Sequence, residues 1–420
     1  MTTDATEQPT VPHAEAEEQA AMASGNGRPR VVILGGGVAG LTAAYELRRR
    51  LRGRAHLTLI SDSDRFLLGL SLIWTPLGQR PLTFPLAPAL QRHGIHFVHA
   101  RVERIFPERQ VVLAQYKEIP YDYLLIATGP RADGVAIPGV AGEFNATESI
   151  WTEQTAVEAA RSLEHFLDDP GPAAVGIAQG ARYLNAAYEF ALLLDYALRR
   201  HGTRMRATLT FVTPEPYLGH LDSDIPAARR VLERLFAQRD ITAITGTAIA
   251  LVDREGVHLR DGRVLPTAFT MVIPPFSGVT GIWKSAGLTD EQGFVSVDAR
   301  YRHVHYPQIY AAGVAAHLGT RPSPAPLPRT GYLSAAMARA AAQNVAAAIT
   351  GSTRVAPVVP RLLDVRILDG GDTGMLLMSA DLHRRRGLAL ALPGRLAHAA
   401  KALLAHYLIW KLRSGYTNLL

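Results

Sequence analysis

The chain has 420 residues, of which 48% are hydrophobic and 19% charged, with a net charge of +7 and no cysteine. That length supports two or three domains of ordinary size. Composition excludes disulfides, thiolate metal sites, cysteine nucleophiles and dithiol relays, and no metal site is expected; the redox compartment stays open, since a cysteine-free chain tolerates either environment.

Residues 1–29 are polar and Ala-rich, with Asp4, Glu7, Glu15, Glu17 and Glu18. They lack the basic start and apolar core of a secretory signal, and the composition predicts a disordered tail. Residues 30–34 then read as a short apolar strand running into Gly35-Gly36-Gly37-Val38-Ala39-Gly40, a helical stretch over 41–50 and a second strand over 57–60. In this βαβ pattern Gly35 permits the tight turn, Gly37 lets a diphosphate approach the backbone, and Gly40 lets the helix pack closely on the strand. The acid expected on a ribose is less clear. Ser61 ends the second strand and Asp62 follows; either could bond a ribose hydroxyl, or Asp62 is an ordinary loop residue.

A strand over 121–128 ends at Thr128-Gly129, and one over 309–313 ends at Gly313-Val314. Three strand-to-glycine junctions in this order match flavoproteins with two dinucleotide-binding domains, and point to FAD, held noncovalently, in the first. Between them lies a second βαβ candidate, with a strand over 173–178, a helix over 186–200 and a strand over 208–213. Its turn, Gly176 to Arg182, has lost the three-glycine fingerprint, so this domain is Rossmann-like in shape without binding a nicotinamide nucleotide. The resulting fold class is α/β, with two Rossmann-like, doubly wound domains and a C-terminal amphipathic helical segment. The expected boundaries are 30–150 with 285–350 for the FAD-binding domain, 151–284 for the second, and 351–420 for the C-terminal region. Residues 321–328 are Pro-rich and read as a stiff loop, before an Ala-rich helix over 332–349.

From Leu382 onward there are seven Lys or Arg and no acid. Over 396–410, Leu396, Ala400, Leu403, Tyr407 and Trp410 fall within about 80° of one another on a helical wheel, with Arg395, His398 and Lys401 opposite and Lys411 near the edge. A basic amphipathic helix carrying Tyr and Trp suits the interface of an anionic bilayer; packing on the protein's own core or on a second subunit is the other reading. No stretch reads as a transmembrane helix, and no base-reading motif accompanies the charge, so nucleic acid is not expected as a partner.

These segments together resemble the sulfide:quinone oxidoreductase family. The matching motifs are QGARYLNAAYEF at 179–190, FVTPEPYLGHL at 211–221, MVIPPFSGV at 271–279, GFVSVD at 293–298, IYAAGVA at 309–315, PRTGYL at 328–333, GDTG at 371–374 and HYLIWKLRSG at 406–415. The resemblance implies FAD, a quinone acceptor and a cysteine-based redox centre attacked by sulfide. Tyr183 stands where one family cysteine falls, and Ala315 in or near the place of another. Neither can carry a persulfide, which leaves only direct attack of hydrosulfide on the flavin as a sulfide route. The resemblance further implies proton transfer by His220, unless it is a structural loop histidine. It places Arg329, where the family usually has Lys, beside the flavin to stabilise its reduced form. Phe276 and Tyr332 match segments close to flavin and quinone. Trp74 is either near the flavin or a core aromatic, and Glu189 could be a plain helix-surface acid.

The expected function is electron transfer from an unidentified donor through FAD to a quinone, by a peripheral protein of the cytoplasmic membrane, with homo-oligomerisation left open. Two other readings stand beside it: a type II NADH:quinone oxidoreductase, disfavoured by the broken second turn, and a non-catalytic FAD-binding partner or scaffold.

Overall fold

The computed structural model describes residues 27–133, 136–140, 146–221, 225–285, 287–318, 331–356, 364–379 and 387–417. Residues 1–26 of the tail, the Pro-rich 321–328 stretch, Arg329 and the basic residues Arg384, Arg385 and Arg386 lie outside them. In chain order, β1 (Arg30–Leu34), α1 (Val38–Leu51), β2 (His56–Ser61), β3 (His96–His99) and β4 (Tyr123–Ile126) come first. The middle is built from β5 (Pro172–Ile177), α2 (Leu184–His201), β6 (Thr208–Val212), β7 (Ile241–Ile244) and β8 (Phe269–Ile273). Then follow β9 (Ile309–Ala311) and α3 (Gly331–Thr350), and finally β10 (Asp364–Asp369), β11 (Thr373–Ser379), β12 (Gly387–Pro393) and α4 (Gly394–Ser414).

Two parallel sheets carry the fold. The first has the order β9-β4-β1-β2-β3 and the second β7-β6-β5-β8. Their strands are near-continuous apolar runs such as Val31-Val32-Ile33-Leu34, all buried, as a sheet covered on both faces requires. The pairing of β9 with β4 brings a strand from far down the chain back into the first sheet. It carries α3 onto α1, and the Ala-rich face of α3 (Ala338, Ala341, Ala342) lets the two helices approach closely.

The C-terminal region contains a sheet that periodicity did not reveal. Strands β10, β11 and β12 form an antiparallel meander, and α4 packs on β11 and β10. Gly374 makes that approach close, because a Cβ there would sit 2.2 Å from the Ala397 Cβ.

The orientation of α4 revises the helical-wheel reading. Its charged side turns inward, with Lys401 and Lys411 7% and 6% exposed beside buried Ala397, Ala405 and Leu412. Leu396, Leu403 and Trp410 face outward at 61%, 73% and 48% exposure. Lys401 and Lys411 therefore do not form a solvated face: one has a carboxylate partner inside the protein, and burial holds the Lys411 ammonium below its ordinary pKa. Among the described residues no helix is long and apolar enough to cross a membrane.

Candidate functional site

The glycine turn after β1 has two tight glycines and one open one. Gly35 has φ 107°, and a Cβ on it would lie 2.4 Å from the Ala127 carbonyl oxygen. A Cβ on Gly40 would lie 1.8 Å from the Gly35 carbonyl oxygen. Only glycine allows those approaches, which bring the turn against the end of β4 and the helix down onto the turn. Gly37 is different, since a Cβ there meets nothing within 4 Å. It is also the N-cap of α1, with no side-chain cap and no acid in the first turn. The first N–H groups of α1 and the positive end of its dipole are thus left for an anion, as a diphosphate site requires.

The other expected contacts gather at the same sheet end. Ser61 is buried at the end of β2, its Oγ 2.9 Å from where a Gly36 Cβ would stand, and Ser63 N–H donates to it over 3.3 Å. Asp62 is exposed beside it. Thr128 and Gly129 follow β4, with Gly129 at φ 71° and open space around its absent Cβ. Gly313, at φ 67°, would put a Cβ 3.0 Å from the Ala39 Cβ and 3.4 Å from the Ser334 Cβ, so the late motif closes directly on α1 and α3; Val314 is buried behind it. The three sequence motifs form one cradle, open at Gly37, and the residues present fit FAD.

The corresponding turn after β5 has its polar side chains already occupied. Gln179 folds back so that its Nε2 donates to the Ile249 carbonyl over 3.0 Å. The acid beyond β6, Glu215, points inward: it accepts from Tyr188 Oη at 2.5 Å, Thr213 Oγ1 at 2.9 Å and the Leu221 N–H at 2.6 Å. Burial and this carboxylate push the Tyr188 phenol well above its ordinary pKa. A group so occupied cannot hold a ribose. What remains is a cavity of about 340 Å³ beside Ala178, Gly180, Arg182, Leu184 and His220.

Tyr183 is the N-cap of α2, and its ring packs at 5.2 Å from Trp151 and 5.1 Å from Phe276; the latter two meet edge-on at 4.7 Å. The structure thus joins Tyr183 and Phe276, which the sequence treated separately, and adds Trp151. His220 lines the neighbouring cavity, with its ring 5.5 Å from Tyr217. Tyr332, at the start of α3, is half-buried against the core, and Ala315 is buried after β9.

A second cluster escaped sequence reasoning. Glu189 on α2 is buried and pairs with Lys401 of α4, 212 residues away. Burial outweighs the nearby ammonium and pushes the Glu189 carboxyl up to about 7. The fully buried Asp369, at the end of β10, accepts from Trp74 Nε1 at 2.8 Å and from the Gly371 N–H at 2.9 Å, and lies 2.7 Å from His398 Nδ1. The backbone N–H of Asp369 bonds Glu189, and Lys401 Nζ lies 5.2 Å from the Trp74 ring centre. The half-exposed His398 is therefore linked through Asp369 to a carboxyl inside the protein. Glu189 is no helix-surface acid, and Trp74 is buried. The available signal was an acid in the apolar run of α2 and a lysine opposite the apolar stripe of α4, with nothing local to pair them.

Comparison with known proteins agrees with this geometry. The pyridine nucleotide-disulphide oxidoreductase family matches residues 29–342. The sulfide-quinone reductase of Aquifex aeolicus is 33% identical over 400 residues, covering 92% of this chain and 91% of that protein. The mitochondrial sulfide:quinone oxidoreductase of Mus musculus is 25% identical over 319 residues, 69% of this chain and 66% of the mouse protein. The crystal structure of the sulfide:quinone oxidoreductase from Aquifex aeolicus superposes with a TM-score of 0.85 at 32% identity, covering 93% of both chains. With its glycine cradle intact, the chain belongs to the pyridine nucleotide-disulphide oxidoreductase family, as an FAD-dependent oxidoreductase of the sulfide-quinone reductase type.

Proposed function

We propose that this protein is a peripheral membrane flavoenzyme that reduces a quinone by two electrons without a cysteine persulfide relay. One observation carries the reading: an open FAD cradle at Gly37 occurs in a chain with no cysteine, and Tyr183 packs its ring into an aromatic cluster. Bound in the cradle, FAD supplies two-electron transfer between donor and quinone.

The chain's own groups supply position and protons. Gly35, Gly37 and Gly40 with the start of α1 hold the diphosphate, while Ser61 or Asp62 bonds the ribose. Thr128, Gly129, Gly313 and Val314 line the cradle, and Arg329 supplies positive charge. His220 stands on the donor side and Tyr332 on the quinone side, while Tyr183 and Phe276, whose rings meet 5.1 Å apart, form one aromatic wall of the site rather than two opposed ones. A quinone takes up two protons with its two electrons. Glu189 serves as a proton store, because a carboxyl near 7 exchanges its proton at neutral pH, while its tie to Asp369 and His398 runs through a backbone amide that holds position and carries no proton. The outward Leu396, Leu403 and Trp410 seat the protein on the bilayer where the quinone dissolves.

The test is spectroscopic. Purified protein should be yellow, be bleached anaerobically by its donor as sulfide, NADH and NADPH are added in turn, and regain colour with a short-chain quinone. A colourless protein that takes up no added FAD would overturn the proposal. Rapid bleaching by micromolar NADH would establish the type II NADH:quinone reading in its place, and bound FAD that turns over with no donor would establish the scaffold reading.

A further inference from the structure

Beyond the electron-transfer site, a cavity of about 410 Å³ lies where the short helix Leu86–Gln91 meets the C-terminal end of α4. It is lined by Pro85, Pro88, Ala89, Gln91, Arg92 and Arg413. Arg92 donates through Nη2 to the Arg413 carbonyl at 2.8 Å, which ties the cavity wall to the end of α4. Neither guanidinium has a carboxylate partner among the described residues, although nearby cations do: Arg49 and Arg50 are both spent on Glu46, and Lys401 on Glu189. Burial and the positive charges of Arg92 and Arg48 hold the adjoining His93 below its ordinary pKa, so cationic groups surround it.

The cavity sits at one end of the outward apolar stripe. Leu396, Leu403 and Trp410 recur every seven residues along about 21 Å of helix. The Trp410 ring stacks on exposed Tyr416 at 5.3 Å and lies 6.1 Å from Tyr407. Arg413 follows Trp410 by three residues, about 60° around the helix. With α4 lying in the interfacial plane, its outward apolar stripe faces the acyl chains, and Trp410, Tyr416 and the two guanidiniums at its end, which have no carboxylate partner among the described residues, stand at headgroup level.

We propose that the Arg92–Arg413 cavity binds the phosphate of an anionic phospholipid headgroup and so fixes the position of α4 on the membrane. The inference rests on the reading of α4 as a bilayer seat and names the lipid chemistry that the seat selects. Planar guanidiniums suit this role, since each presents a fork of donors to phosphate oxygens.

The test is flotation of the FAD-loaded protein with vesicles of pure phosphatidylcholine and with vesicles containing one-fifth phosphatidylglycerol. The native protein should prefer the phosphatidylglycerol vesicles by about 30-fold, the effect of two basic residues at a charged surface. Arg92→Gln with Arg413→Gln should abolish that preference while leaving phosphatidylcholine binding, the flavin spectrum and reduction of a soluble quinone unchanged. Arg413→Gln alone, which leaves the Arg92 cap on the backbone intact, should remove part of the preference. Millimolar inorganic phosphate should not displace the bound protein, whereas displacement would mark a free-phosphate site. Equal native binding to both vesicles, a preference that survives the double variant, or a change of oligomeric state in that variant would overturn the inference, the last by showing a subunit contact. Failure of the native protein to bind any vesicle would instead sink the bilayer seat itself; Leu403→Glu, which should lose both kinds of binding, separates the stripe from the cavity.

Discussion

The turns after β1 and β5 occupy equivalent places in two parallel sheets and lead into long helices. Both helices begin without a side-chain cap and without an acid in the first turn, so the helix dipole does not distinguish them. The difference is glycine packing and spare hydrogen-bonding capacity. At the first turn, backbone packs on backbone through Gly35 and Gly40, and Gly37 faces open space. At the second, Gln179 is tied to the Ile249 carbonyl, Tyr183 stands at the helix start, and Glu215 already has three donors, beside a cavity of about 340 Å³. A Rossmann-like shape supplies the location of a nucleotide site, but only small residues and unspent donors make it one. Helix α2 carries an aromatic anchor at its start and an ionisable acid further along, which faces the C-terminal helix.

The largest effect should come from the buried acid of α2. Lys401→Met leaves Glu189 buried without its cation and should cost about 3–5 kcal/mol in urea unfolding, while adding Glu189→Leu should restore most of the loss. A single-variant cost below about 1 kcal/mol would show that the pair is not buried as described.

Next come the glycines, which test the contrast directly. Gly40→Ala pushes a methyl into the Gly35 carbonyl and should cost about 1–3 kcal/mol along with FAD retention. A Cβ at Gly37 meets no protein atom within 4 Å, so Gly37→Val should cost the apoprotein no more than the roughly 0.5–1 kcal/mol of a poorer helix N-cap while FAD affinity falls at least about tenfold, as read by flavin fluorescence. Gly180→Ala, at φ 80° in the other turn, should cost about 1 kcal/mol and leave FAD affinity unchanged. Loss of flavin in that variant would break the comparison.

A smaller effect is the pH dependence at Glu189. Its folded pKa of about 7 lies above the ordinary 4.5, so the folded state keeps the proton longer. That contribution to stability is complete below 4.5 and is lost as pH rises through about 7. Glu189→Gln should flatten the stability curve across this window; an unchanged slope would assign it to other groups. The smallest expected effect is none: micromolar NADH should leave the flavin oxidised, and fast bleaching would show the second turn to be functional.

Much of this architecture was legible locally. The buried strands β1, β5 and β9 start or end within a residue or two of where their apolar runs meet glycine or proline, because a strand covered on both faces leaves no room for polar residues. The three flavin motifs were readable for the same reason. The β10–β12 meander was not, although its strands are longer than β1 and β9, because an apolar run such as Met375 to Met378 does not by itself separate strand from helix. Helical spacing separated the faces of α4 but did not tell which of them packs inward. Glu189 read as a surface acid because its partner is remote in sequence. Tyr183, Trp151 and Phe276 come from three separate segments, and only the packing of the second domain joins them.

Two properties belong to the sequence alone. Glycine spacing after an apolar strand specifies a diphosphate turn because the constraint is steric and local, and the absence of cysteine excludes a cysteine persulfide on this chain in any fold. The tertiary structure decided which way α4 faces. Burying a lysine is tolerable only where a carboxylate waits, and Glu189, 212 residues earlier, is brought to Lys401 solely by the packing of α2 beneath the C-terminal sheet.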